Sequence, residues 1–486
     1  MRRLTFLALL IALGQYTFAY VSKPKIQIKF QIHPVHYLVS FVEAASGNSS
    51  GSKHLRRVYQ ASDFNTPKNR KILDRFKALA LDYESFKYPG FPNAHMTSTS
   101  LWDLFKMAAS QSSDLADLQQ RTAGIYPASI QKILFEVFKE MKPTFEQLFW
   151  KPLIKDAQAK LQDLEKYLAK NQVSEKFEQI ARFYGSQWNS DLPFVVNLHP
   201  LPASYRRGSS AEFRGNILTC DFPLAMRNKA IFLGIVIHEL SHILYEQQSV
   251  QLQKNIEQWF LDNDLKNRQF AYQWINEALA TACGNAWFFR ELTDSLETGS
   301  WYGNPYIDQF ARKMLPEVSR YIQAGKTIDQ AFVTNSIRTF AQAFPNALYE
   351  YDQWMNNILV LHAMPPQQYR KLEHLLYENF RISRNRTISN AFTTETLKRL
   401  KQSTATNVIV VAQNHQKSLR FLQKEMGSLS QFTLNPKESF LLTYLRPNQI
   451  PLIVVNLQNK QAWPKAIAQI RKMKKYDPKR ALIKLN

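Results

Sequence analysis

The sequence predicts an α+β protein: a mostly helical body with a small N-terminal sheet, plus a small C-terminal α/β domain. Three observations predict it. Glycine is scarce, at 14 of 486 residues, while Gln, Lys and Leu are frequent, which favours helix over a strand-rich sandwich. Apolar residues recur at helical spacing from Lys71 to about Trp188 and again from Ala230 to about Leu400. Short strand-like runs flank these stretches, and the length allows two or three domains.

The elements follow in order. Met1-Arg2-Arg3, the apolar run Leu4 to Leu13 and the stretch Gly14 to Ala19 fit a secretory signal peptide over residues 1–19, cleaved after Ala19 or Gly14. The competing reading is an uncleaved anchor, for which the apolar run is short. The mature chain is expected to be secreted or periplasmic, with no transmembrane span. Residues 20–190 hold an alternating strand, Lys25 to Ile32, a loop at Gly47 to Ser52, and then amphipathic helices. Phe194–Leu198 and Glu212–Cys220 read as strands opening a domain over 191–402, and Pro200 to Ser210 separates them. Ser403 to Asn407 reads as a linker into a domain over 403–486. There Val408–Val411, Phe440–Tyr444 and Leu452–Val455 are expected strands, with helices at Gln416–Met426 and Trp463–Lys474.

Formal net charge is +23. From Lys398 onward seventeen Lys and Arg face only Glu425, Glu438 and Asp477, so this basic C-terminal region is a candidate for contact with an anionic surface or polymer. A solvated basic face that aids solubility is the plainer account. Cys220 and Cys283 are the two cysteines; a disulfide and two unpaired buried thiols are both open readings.

The chemistry centres on His238-Glu239-Leu240-Ser241-His242, preceded by the apolar run Ala230 to Ile237 and followed by Ile243, Leu244 and Tyr245. A polar cluster inside so apolar a helix is costly unless it has partners. At i and i+4, His238 and His242 share one helix face and reach one ion, while Glu239 is placed to take a proton from metal-bound water. The five-residue pattern arises by chance in such a chain with a probability on the order of one per cent, so context matters. A zinc hydrolase site needs a third protein ligand and an open position. Glu277, in Trp274-Ile275-Asn276-Glu277-Ala278-Leu279-Ala280-Thr281, supplies a carboxylate on a second apolar helix. Glu246, Asp262 and Asp264 are weaker candidates, read as helix-end or turn residues.

At this point the chain resembles the gluzincin metallopeptidases, which combine HExxH with a later glutamate often preceded by asparagine. Trp274-Ile275-Asn276-Glu277 looks like the W-L-N-E segment of membrane-alanyl-type aminopeptidases. The resemblance spans roughly Ala230 to Asn285. It implies a zincin-like catalytic domain, one Zn2+ ion on His238, His242 and Glu277, Glu239 as general base, and a peptide or protein substrate. It also implies a Tyr or His that stabilises the oxyanion, with candidates Tyr302, Tyr306, Tyr349, Tyr351 and His362. Of these, Tyr349 and Tyr351 stand at a fitting distance past Glu277. Glu212–Cys220 resembles the strand before the HExxH helix, whose edge pairs with substrate, and Arg206, Arg207 and Arg214 would favour acidic substrate residues.

The chain also departs from known patterns. Thirty-four residues separate His242 from Glu277, more than in that aminopeptidase family. Tyr245 and Gln248 exclude the metzincin branch. Thr281 stands where thermolysin-like enzymes carry an aspartate that orients a ligand histidine, and no G-x-M-E-N motif precedes HELSH. No family within the superfamily is assigned. Two other functions compete: a catalytically inactive peptidase-like protein that binds an anionic envelope or host surface through its basic C-terminal domain, and a zinc hydrolase of a non-peptide amide.

Overall fold

The computed structural model describes residues 26–47, 51–81, 85–87, 98–205, 210–389 and 392–485. The expected signal peptide and Arg206 and Arg207 lie outside them. The chain divides into two compact units. One comprises residues up to Leu81, Leu101–Ile180 and Trp188–Arg227; the other comprises Asp82–Ser100, Ala181–Gln187 and Asn228–Asn486.

The first unit places helices beside a four-stranded sheet. Its strands are β1 (Ile28–Gln31), β2 (Phe194–Leu201), β3 (Ala211–Arg214) and β4 (Ile217–Pro223), in the order β1-β2-β4-β3. β1 and β4 run parallel to β2, and β3 is antiparallel to β4. The expected single strand Glu212–Cys220 is therefore a hairpin. It breaks at Gly215, whose φ of 57° is a left-handed conformation that glycine adopts without a Cβ clash.

The helices of this unit include α1 (Pro34–Ala45), α2 (Lys53–Gln60), α3 (Pro67–Lys77), α4 (Leu101–Ala109), α5 (Leu115–Arg121), α6 (Ala128–Phe145) and α7 (Lys151–Lys170). The core is aromatic: Tyr37 and Phe41 of α1 meet Phe145 and Phe149 at ring-centroid distances of 5.0–5.9 Å. The Tyr37 hydroxyl donates to the Pro200 carbonyl, which ties α1 to β2. Pro143 near the end of α6 lacks an N–H, and the helix continues into α7 through a π-turn at Glu146–Trp150.

The second unit begins with a helical layer: α8 (Lys229–Glu246), α9 (Val250–Leu261), α10 (Arg268–Ala280), α11 (Phe289–Thr293), α12 (Pro305–Gln323) and α13 (Gln330–Ala343). A six-stranded sheet follows, made from β5 (Asn357–His362), β6 (Arg384–Ser389), β7 (Thr406–Val411), β8 (Phe440–Leu445), β9 (Pro451–Asn456) and β10 (Leu482–Lys484), in the order β10-β8-β9-β7-β5-β6. β5, β6, β7 and β9 are parallel, while β8 is antiparallel to β9 and to β10.

The expected C-terminal strands and helices all form within two residues of their expected ends, but the sheet starts earlier than the Ser403–Asn407 linker. β5 is buried throughout, so its residues Asn357–His362 carry no alternation. β6, Arg-Asn-Arg-Thr-Ile-Ser, is a polar edge strand. Neither gives a period that separates it from the surrounding helical pattern. Among the described residues no helix is long and apolar enough to cross a membrane.

Candidate metal centre

α8 is apolar on nearly every side. Asn228 caps it, accepting from the Ile231 N–H, and Phe232, Leu233, Val236, Ile237, Leu240, Ile243 and Leu244 are all buried. His238 and His242 are buried in the middle of this helix, 5% and 6% exposed. Ser241 satisfies itself on the Ile237 carbonyl one turn back, whereas the two buried imidazoles need partners from outside the helix.

That partner comes from α10, which packs against α8 and also against α12 and α13. Its Glu277 Oε2 lies 3.6 Å from His238 Nε2 and 3.6 Å from His242 Nε2, and the two Nε2 atoms are 3.3 Å apart. An ion held tetrahedrally by bonds of about 2.0–2.1 Å sets its ligand atoms about 3.3–3.4 Å apart. The triangle has that size. Glu277 Oε2 is buried without a hydrogen-bond partner, and buried oxygens are seldom left so. Three ligand atoms converging on one point fit a metal ion, and His238, His242 and Glu277 form such a group.

Neighbours fix the rings. His242 Nδ1 lies 3.0 Å from Asn276 Oδ1. Because that oxygen only accepts, Nδ1 carries the proton and Nε2 keeps its lone pair for the metal. His238 Nδ1 lies 3.5 Å from the Thr281 hydroxyl. Thr281 therefore occupies the orienting position where a carboxylate was missed in the sequence. Asn276 as an orienting residue was not foreseen; its only signal was its place beside Glu277.

α10 does not end at Ala280 but loosens into a π-helix, Thr281–Phe288. This segment presents Gly284 to the backbone of α8 at Gly234 and His238. A glycine inside an apolar helical run, in a chain with few glycines, was the sequence signal for this contact.

Tyr302 completes the site. Its ring stacks on His238 with centroids 5.5 Å apart and planes at 22°, and its hydroxyl lies close enough to the Glu277 carboxylate to interact with it electrostatically. Burial pushes the Glu277 carboxyl up, but His238, His242 and the Tyr302 hydroxyl outweigh it and bring it down to about 2. Burial and the Glu277 and Glu239 carboxylates push the Tyr302 hydroxyl up. Half-buried Glu239 thus lies within electrostatic reach of Tyr302.

The other aromatic candidates are engaged elsewhere. Tyr306 stacks on Trp274 and donates to Glu350. Tyr349, expected to stand at a fitting distance, is 40% exposed. Tyr351, expected likewise, donates to Thr443 of β8. His362 stacks on Tyr369 and accepts from the Met364 N–H.

Asp262 and Asp264 line a different cavity, with Trp259 and Arg338, and neither they nor Glu246 join the three-ligand group. Arg214 is an ion-pair partner of Asp103 and Glu212, so it is no unpaired cation awaiting an acidic substrate. β3 and β4 belong to the first unit and HELSH to the second. Cys220 and Cys283 are both buried and are not joined in a disulfide, which answers the pairing in favour of two separate cysteines. Compared with protein-family models, curated proteins and solved structures, the chain matches none.

Proposed function

We propose that this protein is a zinc-dependent metallopeptidase of gluzincin type, with a zincin-like catalytic unit, that hydrolyses peptide bonds outside the cytoplasm. The observation that carries the reading is the triangle of His238 Nε2, His242 Nε2 and Glu277 Oε2, built on two packed helices with a glutamate beside the first ligand. Two imidazoles and one carboxylate match the donor set of catalytic zinc with a position left open. When bound, the ion supplies Lewis acidity toward a carbonyl and toward water.

The protein's own groups do the rest. Asn276 holds the His242 imidazole in the tautomer that presents Nε2, and the Thr281 hydroxyl lies against the outer nitrogen of His238. Glu239 accepts the proton of the attacking water and passes it to the departing amine nitrogen. Tyr302 is the hydroxyl donor beside the ligands and is the residue proposed to hold the developing oxyanion. The signal-peptide pattern directs the chain out of the cytoplasm, and the basic C-terminal strands and helices would meet an anionic surface or polymer there.

Purified protein should carry one equivalent of zinc by elemental analysis. Glu239→Gln should keep that zinc while cleavage of a peptide library falls by about 10²–10⁴-fold, the usual contribution of a general base. A metal-free wild type, or undiminished cleavage by Glu239→Gln, would sink the reading.

A further inference from the structure

The first unit holds a second polar cluster, on residues that the zinc reading does not use. A cavity of about 340 Å³ lies among α1, the start of α2, α4 and strands β2 to β4. Lys106, 3% exposed, spans it, with Nζ 3.1 Å from both Glu43 Oε2 and Glu212 Oε2. The carboxylates around it each accept donors and keep lone pairs to spare. Trp102 Nε1 donates to Glu43 at 2.7 Å, and Arg214 pairs with Glu212. Asp221 accepts from the Ser52 and Ser210 hydroxyls at 2.9 and 2.5 Å.

Two other groups are unmet. Ser40 Oγ and His199 Nδ1 line the same cavity, are buried, and have no hydrogen-bond partner. Their residues are 5% and 1% exposed. His199 places its other nitrogen 3.1 Å from His36 Nδ1, so Nδ1 is its unused ring nitrogen. Lys106 places two of its three ammonium protons on Glu43 and Glu212. A hydroxyl and an ammonium proton, buried together beside an unused ring nitrogen, call for a ligand that brings acceptor oxygens. Glu43, Glu212 and Asp221 stand beside Lys106 and Lys53, with Arg214 paired to Glu212, so charge of both signs surrounds the cavity and a ligand carrying both is favoured over a polyanion. The volume is at the small end for ligand pockets.

We propose that this cavity binds a free α-amino acid, its carboxylate received by Ser40, His199 and Lys106 and its ammonium turned toward Glu212 and Asp221. The site is separate from the metal chemistry and does not depend on it.

The test is calorimetric titration of the full chain with each of the common amino acids, and with butyrate, butylamine and inorganic phosphate. At least one amino acid should bind saturably, one per chain, and at least tenfold more tightly than the other three compounds. Ser40→Ala removes a hydroxyl that no other protein group uses, so its unfolding midpoint should match wild type while affinity falls about fivefold or more, the worth of one hydrogen bond. Absence of saturable binding by every amino acid, equal binding of butyrate or phosphate, or unchanged affinity in Ser40→Ala would each overturn the proposal.

Discussion

Gly284 lies against the backbone of His238: a β-carbon on Gly284 would stand 2.4 Å from the His238 nitrogen and 2.6 Å from the Gly234 oxygen. The π-helix that follows α10 can approach α8 only because one residue of the pair has no side chain. Gly284→Ala must push the two helices apart, since the clash is with backbone and no side chain can swing away. The expected cost is about 1–3 kcal/mol of unfolding free energy, read by urea denaturation, with a fall in metal affinity as Glu277 is displaced. Gly303→Ala, where nothing lies within 4 Å of the added carbon, should stay within about 0.5 kcal/mol of wild type.

Asn276 holds His242 at 3.0 Å, whereas Thr281 holds His238 at 3.5 Å, so their substitutions should differ in size. Asn276→Leu removes the acceptor that fixes the tautomer, and zinc affinity measured by competition with a chelator should drop about 10–100-fold. Thr281→Val should cost less, because the longer contact contributes less. Equal affinities for wild type and Asn276→Leu would mean that packing alone orients the ring.

The three proposed ligands were legible in the sequence because each needs only a helix: an i, i+4 pair on one face, and a carboxylate in an apolar stretch with no other reason to be there. Residues whose role depends on tertiary approach were not. Tyr302 reaches His238 from the segment before α12, and no spacing rule distinguishes it from Tyr349 or Tyr351. β5 and β6 were absorbed into a helical reading because one is buried on both faces and the other is a polar edge. The hairpin at Gly215 was read as one strand because a two-residue turn leaves the apolar pattern on either side nearly continuous. The second cluster was invisible for a different reason: Ser40, Lys106 and His199 lie far apart in sequence, and only the fold lines one cavity with them.

Asp221 gives a pH dependence whose sign follows from its burial. Burial pushes its carboxyl above the ordinary 3.8, against the pull of Ser210, His54 and Ser52. The titratable groups facing it are His54 of α2 and Tyr37 of α1. A carboxyl with a raised folded-state pKa binds its proton more tightly folded than unfolded. Stability from this group is therefore present at low pH and is lost as pH rises from 3.8 through the raised folded value. Asp221→Asn keeps an acceptor for Ser52 and cannot ionise. Its unfolding free energy should gain on that of wild type as pH rises across this window, measured by denaturant titration at successive pH values. A wild type that gains stability there relative to Asp221→Asn would contradict this assignment.

Tyr302 is separated from its rivals by position, so substitutions can rank the aromatic candidates. Tyr302→Phe keeps the ring that stacks on His238 and removes only the hydroxyl, so zinc content should be retained. If that hydroxyl leaves Glu277 to receive the developing oxyanion, kcat should fall about 10–100-fold with little change in KM, because the interaction is made mainly in the transition state. Tyr349→Phe alters an exposed ring and should leave both constants unchanged. Tyr351→Phe breaks the hydrogen bond to Thr443 and should lower stability by about 1 kcal/mol without changing kcat. A Tyr302→Phe variant with wild-type kcat and intact zinc would remove this hydroxyl from the proposed reaction and leave Tyr302 as a packing partner for His238.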